Sequence, residues 1–289
     1  MKNILEYSLF LILAGIVKLV GLEASRRLSI LIAILFYYII PIRKKVTLKN
    51  LHTAFPAYSE SEINRIAFGS YKSFSITLVE ILFIPFMTRK QIEDAVNSED
   101  TELVKKYYER NNGLIVLSGH FGNWEYIALS VSAKINVPFH VVVKSQRNPY
   151  VDAYLNRGRT RWINKIVVLG ASIRKIYTEL KAKNIVAMVA DQRGPADGMR
   201  INFFGQQSSI YPGPAQLALK TKSPILYGLT FRQPDYSYTA EISEISIENL
   251  PDEEEKQIQE VSQRHMAFLE SAIRKHPEQW LWMHNIWKY

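Results

Sequence analysis

The sequence predicts an α/β fold with a mainly parallel central sheet flanked by helices, and three observations carry that prediction. Short apolar runs alternate with stretches of helical spacing from residue 114 to residue 190, the order of repeated βα units. Two of those runs end in polar turns, Ser118-Gly119-His120 and Asp191-Gln192-Arg193, as expected where strands deliver their carboxyl ends to one cleft. With 289 residues, 47% of them hydrophobic and 12% aromatic, the chain can bury a substantial core.

Residues 4–22 form a predominantly apolar stretch about long enough to span a bilayer, with Glu6 and Lys18 towards its ends. A cleavable signal peptide would have a more basic start, a shorter apolar core and a small-residue cleavage site, so a retained anchor is expected. Arg26, Arg27, Arg43, Lys44 and Lys45 follow this stretch and only Lys2 precedes it, which by the positive-inside rule puts the body of the protein in the cytoplasm. Residues 28–42 are a shorter, aromatic-tipped run, expected to lie on the membrane surface or against the domain, with a second span as the other reading.

Ile63, Ile66, Ala67, Tyr71, Phe74, Leu78 and Leu82 have helical spacing over residues 60–83, and Ser59 or Ser61 with Glu62 supplies the cap. Glu80 stands inside this stretch, either paired in the core or facing a cleft. Residues 101–110 read as a helix, and 113–126 (GLIVLSGHFGNWEY) as buried strand, tight turn and helix, with Asn123 the N-cap and Glu125 in the first turn. Strands follow at 139–143, 166–169 and 185–190, with helices at 150–164 and 171–183 between them. Residues 203–218 read as a loop entering a helix, 224–231 and 236–247 as late strands, and 252–255 as a helix's acidic first turn. Trp280, Trp282 and Trp287 read as packing residues or interfacial anchors.

The turn at His120 holds the most specific chemistry. His120 and Glu125 are five residues apart, which on one continuous helix would separate them, so His120 belongs to the turn and can fold back towards Glu125. A carboxylate holding one imidazole nitrogen leaves the other to take a proton from a hydroxyl, which makes His120 and Glu125 a general base with its orienter. A capping turn with a satisfied histidine remains the plainer reading. There is no cysteine and no HExxH, so no thiol nucleophile, disulfide or familiar zinc motif is expected.

Thirty-six basic against 27 acidic residues give a formal charge of +9 and point to an anionic partner. The excess is local, since residues 144–183 carry ten Lys or Arg and two acidic residues. Arg159 follows Leu155 by four and so lies near an apolar helix side that also holds Val151 and Tyr154; half-buried there, it needs an anionic partner, protein or substrate. Arg157 and Arg161 fit a solvated cationic face as well as a functional one.

HFGNWE in this setting resembles the H-x4-D/E motif of the bacterial lipid A biosynthesis acyltransferases, the late lauroyl and myristoyl transferases of the lysophospholipid acyltransferase group. KNLHTAFP at 49–56, NRGRTR at 156–161, DQRGP at 191–195 and PEQWLWMH at 277–284 are similar to that family's blocks in the same order, so the resemblance covers nearly the whole chain. It implies a glycerolipid acyltransferase-like fold with a membrane-anchoring helix, residues 1–45 serving as anchor and surface helix and 46–289 as catalytic domain. The implied reaction moves an acyl chain from acyl carrier protein or coenzyme A, a cosubstrate and not a bound cofactor, to a hydroxyl of an anionic glycolipid, a lipid A precursor, at the bacterial inner membrane.

In that reading His120 and Glu125 are catalytic. Arg159 and Arg161 contact phosphate or the reacting carbonyl, Asp191 orients an active-site arginine, and Asn123 and Gln192 shape the site. Direct attack suits a chain with no cysteine and no GxSxG elbow. Other acceptors are phosphatidylinositol mannoside, ornithine lipid or lysophospholipid; from another class, a membrane-anchored binder of anionic lipid or nucleic acid would use the basic segment without catalysis.

Overall fold

The computed structural model describes residues 2–170 and 173–289. Helix α1 (Lys2–Val20) is long and apolar enough to cross a membrane. It buries only Ala14 and Val17 against the protein, while Ile4, Leu5, Leu9, Ile12, Ile16 and Leu19 stay exposed. Helix α2 (Leu22–Ile34) runs into a π-helical turn over Leu35–Ile39 and then bends by 90° into α3 (Lys44–Ala54). Its buried residues Ser25, Ser29 and Ala33 are small and four apart, a flat stripe that lets its backbone lie close on α4 (Glu60–Phe83). The 28–42 run is therefore packed on the domain through part of its length.

Helix α4 has the predicted bounds because Ser59 and Glu62 form a reciprocal capping box. Most of it is buried inside the protein, which makes it a core helix despite its apolar length. A short helix α5 (Arg89–Asp94) leads to strand β1 (Val96–Asn97), which the sequence pattern had not distinguished, and then to α6 (Thr101–Glu109). The alternating region follows as β2 (Leu114–Ser118), α7 (Trp124–Ile135), β3 (Phe139–Val143), α8 (Pro149–Arg159), β4 (Lys165–Val168), α9 (Ile173–Lys181) and β5 (Ile185–Val189). The expected start of α9 at 171 lies outside the described residues.

The chain continues through β6 (Met199–Phe203), β7 (Gln206–Ile210), α10 (Gly213–Thr221), β8 (Ile225–Arg232), β9 (Tyr238–Ile245) and α11 (Glu254–Lys275). The expected loop from 203 is in fact the second half of a hairpin. Phe204 and Gly205 both take positive φ, 55° and 74°, as a two-residue turn matched to strand twist requires. Phenylalanine is a weak signal for such a turn; its buried contacts with Phe55, Trp282 and Trp287 hold it there.

The main sheet has the order β1-β9-β8-β2-β5-β3-β4. Strands β8, β2, β5, β3 and β4 are parallel; β9 runs antiparallel to β8 and β1 parallel to β9. Every residue of β2 is buried, as a central strand covered on both faces must be. Ile115 and Leu117 face a core completed by Val261, Leu269, Trp280 and Trp282, while Leu114 and Val116 face one completed by Val104, Ile127 and Val131. At the end of β2 the chain turns at Gly122, whose φ is +54°, and a Cβ there would collide with the Thr230 carbonyl oxygen of β8.

Candidate active site

Strands β2 and β5 are parallel neighbours with Ser118 opposite Val189, and the amide of Ala190 still donates to the Ser118 carbonyl at 3.0 Å. Each chain then runs on by two residues, which brings His120 and Asp191 level at the carboxyl edge of the sheet. The imidazole Nδ1 lies 2.7 Å from Asp191 Oδ1, and the backbone N–H of His120 donates to Oδ2 at 2.6 Å. The Trp280 indole N–H donates to the same Oδ2 at 2.9 Å. Gly119 keeps this approach open, since a Cβ there would sit 3.3 Å from Asp191 Oδ2 and 3.4 Å from the Tyr227 hydroxyl.

A buried carboxylate that only accepts fixes the imidazole tautomer. Neutral His120 carries its proton on Nδ1, and Nε2 has no hydrogen-bond partner among the described residues. Burial pulls the His120 pKa down, but the facing charge and hydrogen bond of Asp191 outweigh it, so the pKa is raised from its ordinary value. Burial pushes Asp191 up, and His120 with Trp280 brings it below the usual carboxylate range. The side chain of His120 remains 21% exposed and that of Asp191 only 2%, so the imidazole is open to solvent and the carboxylate that holds it is not.

The pairing expected within the HFGNWE motif is corrected here: His120 is held by Asp191, and no hydrogen bond among the described residues joins it to Glu125. Glu125 instead faces α8, where Arg159 Nε lies 2.9 and 3.1 Å from its two oxygens and Nη2 lies 2.5 Å from Oε1. Asp191 accordingly orients the histidine and not an arginine. Spacing along one chain can offer only Glu125 as a near carboxylate; the competing one arrives just past the end of a neighbouring strand, 71 residues later. Arg159 has the anionic partner its half-buried position required. Its Nη1 also donates to Asn156 Oδ1 at 3.0 Å, leaving one N–H on each terminal nitrogen uncommitted.

Asn123 is the N-cap of α7, its side-chain oxygen accepting from the amides of Glu125 and Tyr126 at 3.1 Å each. Gln192 and Arg161 are exposed; Arg161 rests on the Trp162 ring, and neither side chain is hydrogen-bonded into the site among the described residues. Glu80 is core-paired and fully buried.

Trp280 is the site residue that residue-by-residue reading missed. Its segment is laced to the motif turn and to α4: Gly122 N–H donates to the Gln279 carbonyl, Leu281 N–H to the His120 carbonyl, and the Ser70 hydroxyl of α4 to the Trp280 carbonyl. The only sequence signal was the PEQWLWMH block itself. Trp280 and Trp282 are buried packing residues, and not interfacial ones.

Two shallow pockets open beside these pairs. One is bounded by Ile81, Ile84, Tyr154, Leu155, Glu125 and Arg159. The other is bounded by Ser73, Phe74, Thr77, His120, Trp124 and Gln279. Among the described residues no three His, Asp or Glu side chains are grouped to hold a metal ion.

A mainly parallel sheet with a carboxylate-held, partly exposed imidazole at its carboxyl edge, joined to an apolar helix long enough to cross a membrane, defines an α/β protein with a candidate site for proton transfer. The chain belongs to the bacterial lipid A biosynthesis acyltransferase family, whose sequence profile matches residues 2–289. It is similar to a lipid A biosynthesis palmitoleoyltransferase of Escherichia coli K12, 23% identical over 251 residues that cover 85% of this chain and 79% of the relative. The same figures hold for a lipid A biosynthesis acyltransferase of Shigella flexneri. Family and relatives together support acyl transfer in lipid A synthesis.

Proposed function

We propose that the protein transfers a fatty acyl chain from an acyl thioester, on acyl carrier protein or coenzyme A, to a hydroxyl of an anionic lipid A precursor, with His120 as general base. The observation that carries this reading is the His120–Asp191 pair, which leaves Nε2 as the acceptor on a partly exposed imidazole beside a pocket. Nε2 takes the hydroxyl proton as the oxygen attacks the thioester carbonyl carbon. The tetrahedral oxyanion collapses, the carbon–sulfur bond breaks, and the imidazolium returns its proton to the departing thiolate. No acyl-enzyme is needed.

Glu125 holds Arg159 in place, and the uncommitted N–H groups of Arg159 meet the oxyanion or a substrate phosphate. The apolar surface of Ile81, Ile84, Tyr154 and Leu155 beside Arg159 suits contact with an acyl chain. Gln192 and Arg161, at the surface, suit the polar parts of donor or acceptor. Residues 1–45 anchor the protein in the inner membrane through α1, with residues 46–289 as the catalytic domain on the cytoplasmic face. The cationic side chains that follow α1 support this orientation.

The test is acyl transfer by the purified protein in membranes, from labelled acyl-carrier-protein and acyl-coenzyme A donors to a tetraacylated lipid A precursor. His120→Ala, shown to be folded, is expected to lose on the order of 10²- to 10⁴-fold in rate. Near-normal turnover by that variant would overturn the mechanism.

A further inference from the structure

Glu80 lies on α4 with no solvent exposure, and its carboxylate draws together four parts of the chain. Oε1 accepts from Arg26 Nε of α2 at 2.8 Å. Oε2 accepts from Asn123 Nδ2 at 2.9 Å and from the Tyr238 hydroxyl of β9 at 2.5 Å, and Arg232 of β8 approaches to 3.8 Å. Arg232 in turn donates to Ser73 and Thr77 of α4, and Thr77 donates to the carbonyl of Gly122 in the motif turn.

The consequence runs through Asn123. A carboxylate can only accept, so it takes the amide N–H of Asn123 and leaves the Asn123 oxygen for the amides of Glu125 and Tyr126. Without an acceptor at position 80, a buried amide group would lose its partner and could turn over, presenting N–H to N–H at the start of α7. Arg26 supplies charge compensation to Glu80 from a helix that does not line either pocket.

We propose that Glu80 is a positioning residue through which the N-terminal helix α2 sets the cap of α7 and hence the carboxylate of Glu125. The N-terminal segment is then part of the catalytic apparatus as well as a tether. This rests on the acyl-transfer reading only for its kinetic consequence.

The test uses the full chain in detergent and the variants Glu80→Ala, Glu80→Gln and Arg26→Met, with two readouts. Loss of the cap should speed exchange of the Glu125 and Tyr126 amides in Glu80→Ala on the order of tenfold while the β2 amides stay protected. In the acyl-transfer assay kcat of Glu80→Ala should fall roughly tenfold or more with KM for both substrates little changed. Glu80→Gln, whose single oxygen can still serve Asn123 but whose NH2 then meets Arg26, should recover part of both losses, and Arg26→Met should show a smaller loss of the same kind. Unchanged exchange at Glu125 and Tyr126, or acceleration shared equally by β2, would overturn the proposal. So would a kcat in Glu80→Ala within about twofold of wild type; an unaltered Arg26→Met would remove the part played by α2. If the wild type transfers nothing, the reading of the reaction fails by itself and the exchange result still decides the positioning role.

Discussion

Asp191→Asn distinguishes the observed pairing from the one expected within the HFGNWE motif. Asp191 accepts three hydrogen bonds, one on Oδ1 and two on Oδ2. Asparagine has a single acceptor oxygen. If that oxygen serves the His120 amide and the Trp280 indole, its NH2 faces the imidazole, and Nδ1 must then be the unprotonated nitrogen. The proton moves to Nε2, where it blocks the atom that accepts the hydroxyl proton in the proposed reaction. The loss expected in kcat is about 10²- to 10⁴-fold, the range found when a general base is removed or held in the wrong tautomer. Loss of the facing charge also lets the raised His120 pKa fall. With His120 as the proposed general base, the neutral imidazole is the active form and the acid limb of kcat moves to lower pH. Glu125→Gln should lower activity by loosening Arg159 and shift that limb less, because Asp191 contributes more than Glu125 to the His120 shift. The assay is initial acyl-transfer rate from about pH 5 to pH 9 for wild type and both variants, a range that brackets the histidine titration. An Asp191→Asn enzyme within about threefold of wild-type kcat, with its acid limb unmoved, would refute the assignment of Asp191 as orienter.

Two further substitutions test the surroundings. Trp280→Phe keeps an aromatic ring in the core and deletes only the N–H to buried Asp191; it should cost about 1.5–3 kcal/mol in urea unfolding, the value of a hydrogen bond to a charged group, and unaltered stability would count against that bond. His265 is buried with both ring nitrogens unpartnered among the described residues, and burial lowers its pKa to about 4. The unfolded chain therefore binds a proton first, and stability is lost as pH falls below the ordinary value of 6.5 towards 4, by up to roughly 3 kcal/mol. His265→Phe should remove that share of the acid sensitivity, and urea unfolding at neutral and acid pH that falls in parallel for the two proteins would contradict it.

Much of this protein is determined by sequence alone, because the signals are local. The apolar length of α1, the Ser59–Glu62 capping box of α4, the Asn123 cap of α7 and the alternation of β2 through β5 each depend on neighbours within a few residues. The family blocks also group His120, Glu125, Arg159 and Asp191. Only the tertiary structure decided how that set divides. His120 had a carboxylate five residues away and took the one on the adjacent strand, because parallel pairing of β2 with β5 puts Asp191 level with it. Glu125, on the first turn of a helix facing α8, was left to Arg159. The same holds for Glu80, whose partners come from α2, from the α7 cap and from β9, and for the Phe204-Gly205 turn, held by aromatic burial. These choices depend on strand order and on what each face covers, which spacing along the chain does not encode.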